Sequence, residues 1–323
     1  MNKIPSQSSG STTGDRFVEV VEVGTRDGLQ IEKKIIPAEE KIDLINRMID
    51  SGIRNIEVTS FVSSKAVPQL ADAEQVLAGI KKRADTNLMA LVPNLRAAER
   101  ACDTPVDGGV LLCSASNTHN GKNLNRSIDQ SIEGFAAVAD KLKQGGIKVI
   151  GAIATAFGCP FEGDVDFANV LRIAKAYSDL GVERITFGDT TGMATPLNIR
   201  SLVRRLKAEI PQAEFGLHLH NTRGIGLANV LVGLEEGIRH FDSSIGGLGG
   251  CPFAAGATGN ICTEDLLFLL HESGYETGVD LNKAINVAHR MEELLGKHLA
   301  GQVMRAGPRL RLHSASDIRT AAG

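Results

Sequence analysis

From Phe17 onward, eight short runs of β-branched and apolar residues alternate with stretches of helical periodicity, and this alternation restricts the fold more than any other feature. The runs are Val18–Val23, Ile53–Val58, Leu88–Val92, Val110–Cys113, Lys148–Ile153, Arg184–Phe187, Phe215–Leu219 and His240–Ile245. Between them, helices are predicted over Ala38–Ser51, Val67–Arg83, Ser127–Gln144, Val165–Leu180, Leu197–Glu209 and Ile225–Gly237, many closed by glycine. Eight such units over about 230 residues are enough to close a parallel barrel. A doubly wound open sheet is the alternative. Against it, the first run leads into Gly24-Thr25-Arg26-Asp27-Gly28, which carries charge, and not into a G-x-G-x-x-G phosphate turn. The expected fold is therefore α/β, a TIM (β/α)8 barrel over residues 17–300 with an added C-terminal helix at Asp280–Leu299. Residues 1–16, rich in Ser, Gly and Thr, are expected as a disordered tail, and 301–323 as a second tail that frays from His313.

Composition narrows the partners. A chain of 323 residues with 42% hydrophobic content can bury a large core. Its formal net charge is -3 with no long run of one sign, which argues against nucleic acid or an anionic membrane as partner. No apolar run has the length of a bilayer span, and the N-terminal stretch has neither a secretory nor a transit pattern. The C-terminal Ala-Ala-Gly is not a peroxisomal address. Five cysteines, an odd number without paired spacing, fit a reducing compartment, so a cytoplasmic protein acting on a small molecule is expected.

In a barrel the chemistry sits where strands end at the C-terminal face. Glu22 lies in the first run, and Arg26 and Asp27 follow it; such a pair reads either as a surface turn or as catalytic charge. His218 and His220 are two residues apart, which on a strand points both imidazoles to one side, as metal ligands require. Asp27 and the amide of Asn260 would complete an oxygen-rich set suited to Mg2+ or Mn2+. Directly after the eighth run, Gly246-Gly247-Leu248-Gly249-Gly250-Cys251-Pro252 has the composition of a mobile loop whose reactive side chain is the Cys251 thiol. That thiol is either a buried small residue or an acid–base group on a closing loop. The other cysteines read as structural. Glu57, at the end of the second run, and Asp189, after the sixth, either orient ligands and substrate or cap the next helix.

Taken in order, the segments EVGTRDGLQ (Glu22–Gln30), IEVTSFVSSKAVPQ (Ile56–Gln69), FGCPFEG (Phe157–Gly163), GDTTG (Gly188–Gly192), HLHNT (His218–Thr222), DSSIGGLGGCPFA (Asp242–Ala254) and GNICTEDL (Gly259–Leu266) resemble the 3-hydroxy-3-methylglutaryl-CoA lyase family. The resemblance runs from Val20 to Leu281. It implies metal-assisted cleavage of an acyl-CoA ester to acetyl-CoA and acetoacetate, as in leucine catabolism. It further implies that Asp27, His218, His220 and Asn260 hold a divalent cation, that Arg26 stabilises the acetyl-CoA enolate, and that Cys251 moves a proton. His218 is the candidate base or relay. Glu22, Glu57, Asp189 and Glu264 fall on supporting acidic positions, Gln30 on a substrate contact, and Lys122 and Asn123 on candidate contacts to coenzyme A. The expected partners are an acyl-CoA and further copies of the chain, as a dimer or higher homo-oligomer.

The departures lie on the substrate side. Asn221 and Arg223 stand where these lyases carry Asp and Tyr, and H-x-H-N resembles the condensing isopropylmalate and homocitrate synthases. Ser64 and Ala66 replace Pro and Trp, Asn117 replaces Glu, and Phe253 replaces Tyr. A lyase for a related thioester such as citramalyl-CoA, or a condensing acyltransferase, are the alternative readings. The glycine loop with Cys251 favours cleavage.

Overall fold

In the computed structural model, which describes residues 16–250 and 259–312, all eight expected runs form strands. They are β1 (Glu19–Glu22), β2 (Asn55–Ser60), β3 (Asn87–Leu91), β4 (Gly108–Ser114), β5 (Lys148–Ala154), β6 (Arg184–Asp189), β7 (Phe215–Leu219) and β8 (His240–Ser243). Each pairs in parallel with its sequence neighbour, and β8 pairs back on β1, so the sheet closes into a barrel and the open doubly wound alternative is excluded.

Helices α1 (Ala38–Asp50), α2 (Ala73–Gly79), α3 (Leu95–Cys102), α4 (Asn117–Leu124), α5 (Ile128–Gln144), α6 (Phe167–Asp179), α7 (Pro196–Glu209) and α8 (Gly226–Glu235) connect the strands. Their starts are written in the local sequence. Ser127 and Gln130 form a reciprocal capping box on α5; Thr195 and Asn198 do the same on α7, where Pro196 takes the first helical position. The two-residue strand period divides the core. Outward residues such as Ile56, Leu111, Ile153, Phe187 and Leu217 pack against the helices, and Val21, Val23, Met89, Leu91, Val110 and Ile150 form a smaller apolar cluster inside the barrel.

Two of the predicted helices differ in extent, and α3 and α4 form in stretches for which no helix is predicted. The predicted helix Val67–Arg83 is a 3-10 turn (Pro68–Leu70) followed by the shorter α2. The reason is Lys41, a buried α1 lysine whose ammonium takes the Gln69 carbonyl at 2.5 Å and both Asp72 carboxylate oxygens at 2.7 and 2.9 Å, holding 69–72 off a continuous helical path. The added helix, α10 (Leu281–Leu295), stops short of Leu299 because Gly296 turns the chain out of it. It is preceded by α9 (Thr263–Glu272), and it is followed by α11 (Val303–Ala306) within the stretch expected as tail. The Asp265 carboxylate accepts the Gln302 and Val303 amides there, and Val303 and Met304 are buried. Residues 1–15 and those from His313 onward lie outside the described residues.

Candidate active site

Directly after β1 the chain makes one wide turn, Gly24–Gly28, in which the amides of Arg26, Asp27 and Gly28 all point at the Val23 carbonyl. This single-turn π-helix, a form frequent at functional sites, puts two adjacent charged side chains into the top of the barrel. Glu22 holds the turn. Its carboxylate accepts the amides of Gly24 (2.7 Å) and Ile245 (2.9 Å) and the hydroxyl of Thr263 (2.6 Å), tying β1 to the loop after β8 and to α9. A side chain at position 24 would strike this carboxylate, its Cβ lying 2.6 Å from Oε1, so glycine there lets the carboxylate keep its three donors. Burial pushes Glu22 up to about 7, against the pull of its three donors. Glu22→Ala leaves those donors buried and unmet; a loss of about 3 kcal/mol and a melting temperature lower by about 4–5 °C are expected in thermal unfolding followed by circular dichroism. A midpoint unmoved by the substitution would show that the tie contributes nothing.

Arg26 is clamped by Glu57 of β2 through two parallel hydrogen bonds, Nε–Oε1 at 2.7 Å and Nη2–Oε2 at 2.9 Å, and its Nη1 donates to Asp27 Oδ1 at 2.8 Å. These contacts use three of the five guanidinium N–H groups. Burial raises the Glu57 carboxyl while Arg26 opposes the rise. Burial also works against ionised Asp27, but Arg26 and the two imidazoles outweigh it and hold the carboxyl at about 2.

His218 and His220, on one face at the end of β7, bring their Nε2 atoms to 3.3 Å, and Asp27 Oδ2 lies 4.0 Å from His218 Nε2. One ligand atom from each of Asp27, His218 and His220 lies within 4.8 Å of the others. Asn260 pairs with His220 across a β-bridge, and its Nδ2 donates to Asp27 Oδ2 at 2.7 Å and to the Leu248 carbonyl at 3.0 Å. Its buried Oδ1 has no hydrogen-bond partner among the described residues, nor has His220 Nδ1. Two facing imidazole nitrogens, an ionised carboxylate and an unsatisfied amide oxygen form a buried donor set that fits a divalent cation. Burial and the neighbouring His218 hold His220 down at about 4, so it presents a neutral ring.

The sequence reading gave Asp242 no role. It lies opposite His218 in the β7–β8 register, and its Oδ2 sits 3.2 Å from His218 Nδ1, an arrangement that leaves Nε2 toward Asp27. Burial opposes protonation of His218, but the hydrogen bond to Asp242 and the charge of Asp27 outweigh it and raise the ring. Asp242→Ala is expected to weaken Mn2+ affinity or turnover about 10- to 100-fold, read by metal titration beside a turnover assay. Wild-type values for both would remove Asp242 from the site.

The remaining candidates divide. Gln30 donates to Asp27 Oδ1 at 3.1 Å and, with Asn123 of α4, lines the same cavity of about 400 Å3 as the triad. Lys122 is exposed, its ammonium 5.2 Å from the centre of the Phe161 ring. Asp189 accepts the amides of Met193 (2.6 Å) and Ala194 (2.9 Å), anchoring the loop after β6, and burial pushes it up to about 7. Glu264, pushed up to about 8 by burial, accepts the Gly246 amide at 3.1 Å. Asn221 Oδ1 accepts the Gly226 amide at the start of α8, and Arg223 donates to the Thr191 and Gly192 carbonyls. Burial lifts the Cys113 thiol to about 12 and the Cys262 thiol further still, as expected of structural cysteines. Cys251 lies outside the described residues. Its neighbour Gly250 lines the cavity, and Gly249, at φ +112°, passes so near the ligands that a Cβ would sit 2.5 Å from Asn260 Nδ2 and 3.1 Å from Asp27 Oδ2.

A closed barrel with this buried carboxylate–imidazole set at its C-terminal face belongs to a class of divalent-metal-dependent enzymes, and a family model described as HMGL-like matches residues 17–291. Within that class the chain is a member of the hydroxymethylglutaryl-CoA lyase family. It is 42% identical over 290 residues to the cytoplasmic 3-hydroxy-3-methylglutaryl-CoA lyase of Danio rerio, covering 90% of this chain and 87% of that one. It is 40% identical over 301 residues to the mitochondrial hydroxymethylglutaryl-CoA lyase of Homo sapiens, covering 93% and 92%. Among solved structures, an HMG-CoA lyase from Acinetobacter baumannii in complex with coenzyme A and 3-methylmalate superposes with a TM-score of 0.90 at 43% identity, covering 94% of this chain and 99% of that one. Relatives thus carry both cytoplasmic and mitochondrial names. Among the described residues, no helix is long and apolar enough to cross a membrane.

Proposed function

We propose that the chain cleaves 3-hydroxy-3-methylglutaryl-CoA to acetyl-CoA and acetoacetate, with a divalent cation, Mg2+ or Mn2+, held by Asp27, His218, His220 and Asn260. The observation that carries the reading is that three of these ligands converge in a buried cavity that Arg26 also lines. Membership of the lyase family supports the substrate.

A retro-Claisen cleavage removes the C3 hydroxyl proton while the C2–C3 bond breaks and negative charge collects on the thioester oxygen. A cation bound at the four ligands would supply Lewis acidity toward the hydroxyl and carboxylate oxygens. Arg26 meets the thioester oxygen with its two remaining N–H groups, and because Glu57 fixes the guanidinium beforehand it need not reorganise as charge develops. His218, anchored through Nδ1 on Asp242, is the candidate relay for the hydroxyl proton; an Nε2 given to a cation has no free lone pair, so a neighbouring carboxylate shares the role of proton acceptor. Gln30 contacts the acyl carboxylate, while Lys122 and Asn123 at the rim meet coenzyme A. Cys251, next along the chain from cavity-lining Gly250, protonates the acetyl-CoA enolate. Cys251→Ala is expected to lower turnover by on the order of a hundredfold or more with Mn2+ affinity retained; full turnover would remove the thiol from the mechanism.

The substrate is tested with a panel of thioesters and identification of the products. Acetoacetate from the methylglutaryl ester as the fastest reaction supports the reading. Pyruvate from citramalyl-CoA as the faster one would replace it.

A further inference from the structure

His119 lines the same cavity as the triad and has no place in its donor set. It sits in the first turn of α4, and Asn123, one turn further along the same helix face, lines the cavity with it. The ring is placed by β4. Val110 and Leu112 line the barrel interior, so Ser114, two residues on, points the same way, and its Oγ lies 2.7 Å from His119 Nδ1. Register links this level to the metal ligands: Ser114 pairs with Ala154 and Gly188 with His218, and Ala154 and Gly188 both line the cavity. Three contacts fix the turn that carries the ring. The Ser116 hydroxyl accepts the His119 amide at 3.1 Å, Asn120 Oδ1 accepts the Ser114 amide at 2.9 Å, and Glu162 accepts the Thr118 amide at 2.7 Å.

The tautomer follows from the supply of donors and acceptors. Ser114 is fully buried, and the His119 ring is the one partner of its hydroxyl among the described residues. A buried hydroxyl proton without an acceptor costs more than an unused lone pair, so Ser114 donates to Nδ1 and the ring proton stands on Nε2. Burial holds the ring below the ordinary histidine pKa, against the pull of Glu162, so the imidazole is neutral. A fixed, neutral imidazole N–H is suited to polarise a carbonyl oxygen that gains charge.

We propose that His119 is a further catalytic residue, whose Nε2–H donates to the thioester oxygen from across the cavity from Arg26. The inference rests on the proposed cleavage reaction. With the C3 hydroxyl at the ligands that follow β1 and β7, and coenzyme A leaving past Asn123, the thioester that joins them lies between. Arg26 reaches it from the end of β1, and His119 from the end of β4, three strands round the barrel. The two donors then hold the oxygen from two sides as the C2–C3 bond breaks.

The test compares the wild-type protein with three variants. His119→Phe keeps a ring beside Phe161 but has no N–H, His119→Gln restores an N–H donor, and Ser114→Ala lets the ring proton move to Nδ1. For each, kcat and KM with 3-hydroxy-3-methylglutaryl-CoA, Mn2+ affinity and thermal unfolding are measured. His119→Phe is expected to lower kcat about 100-fold or more with Mn2+ affinity within a few-fold of wild type. His119→Gln is expected to recover at least about tenfold of that loss, and Ser114→Ala to lose about tenfold in kcat. A folded His119→Phe protein with wild-type kcat, whether or not KM rises, would overturn the role and leave the proposed reaction standing. Should His119→Phe not fold, His119→Gln and Ser114→Ala decide: lowered kcat at retained Mn2+ affinity in Ser114→Ala supports the role, and wild-type kcat in both overturns it. A wild-type protein that does not cleave the ester would overturn the reaction and the role with it.

Discussion

Asp27→Ala is expected to abolish detectable Mg2+ or Mn2+ binding and to lower turnover by at least about a thousandfold. Asp27 is the carboxylate among the three converging ligands, and the hydrogen bonds that order its surroundings meet on it: Arg26 and Gln30 donate to Oδ1, Asn260 to Oδ2. Alanine removes a negative charge from beside two imidazoles and releases Asn260 and Arg26 together. Metal-assisted charge stabilisation is worth several kcal/mol, and ~1.4 kcal/mol is tenfold in rate, so a thousandfold loss is a low expectation. Calorimetric titration with Mn2+ beside a turnover assay checks both halves. Metal affinity and turnover at wild-type levels in the variant would remove Asp27 from the site.

Arg26→Gln separates charge stabilisation from metal binding. Arg26 holds no metal, yet it lines the cavity beside the triad with its plane fixed by Glu57. Loss of a preorganised donor to a developing oxyanion costs about 100- to 1,000-fold in kcat, and the neutral amide is expected to show that loss with Mn2+ affinity within a few-fold of wild type. Arg26→Lys keeps the charge without the forked contact to Glu57 and is expected to recover only part of the rate. Arg26→Gln also leaves Glu57 buried without its partner, so thermal unfolding must accompany the kinetics. A well-folded variant that turns over normally would overturn the role of Arg26.

The barrel and the pairing of the two imidazoles were legible in the sequence because both depend on local periodicity. Strand-length apolar runs gave the eight strands within a few residues, and the spacing of His218 and His220 gave two imidazoles on one face. What depends on contacts between distant residues was not legible. Asp242 supports His218 only because β7 and β8 are adjacent in that register, and nothing near Asp242 in sequence points to a histidine 24 positions earlier. Lys41 interrupts the segment expected as the helix Val67–Arg83 from another element. Asp189 carried two readings in sequence; in the fold its Oδ1 is engaged by the loop amides of Met193 and Ala194, ahead of the Thr195 cap of α7.

The most direct test of the metal-dependent lyase reading uses purified protein stripped with a chelator and returned to Mg2+ or Mn2+, with 3-hydroxy-3-methylglutaryl-CoA as substrate. Acetyl-CoA and acetoacetate formed in equal amounts, absent in the stripped protein and restored by the cation, is the predicted result. Cleavage that proceeds undiminished without a divalent cation, or no acetoacetate above the enzyme-free control when the cation is present, would contradict it.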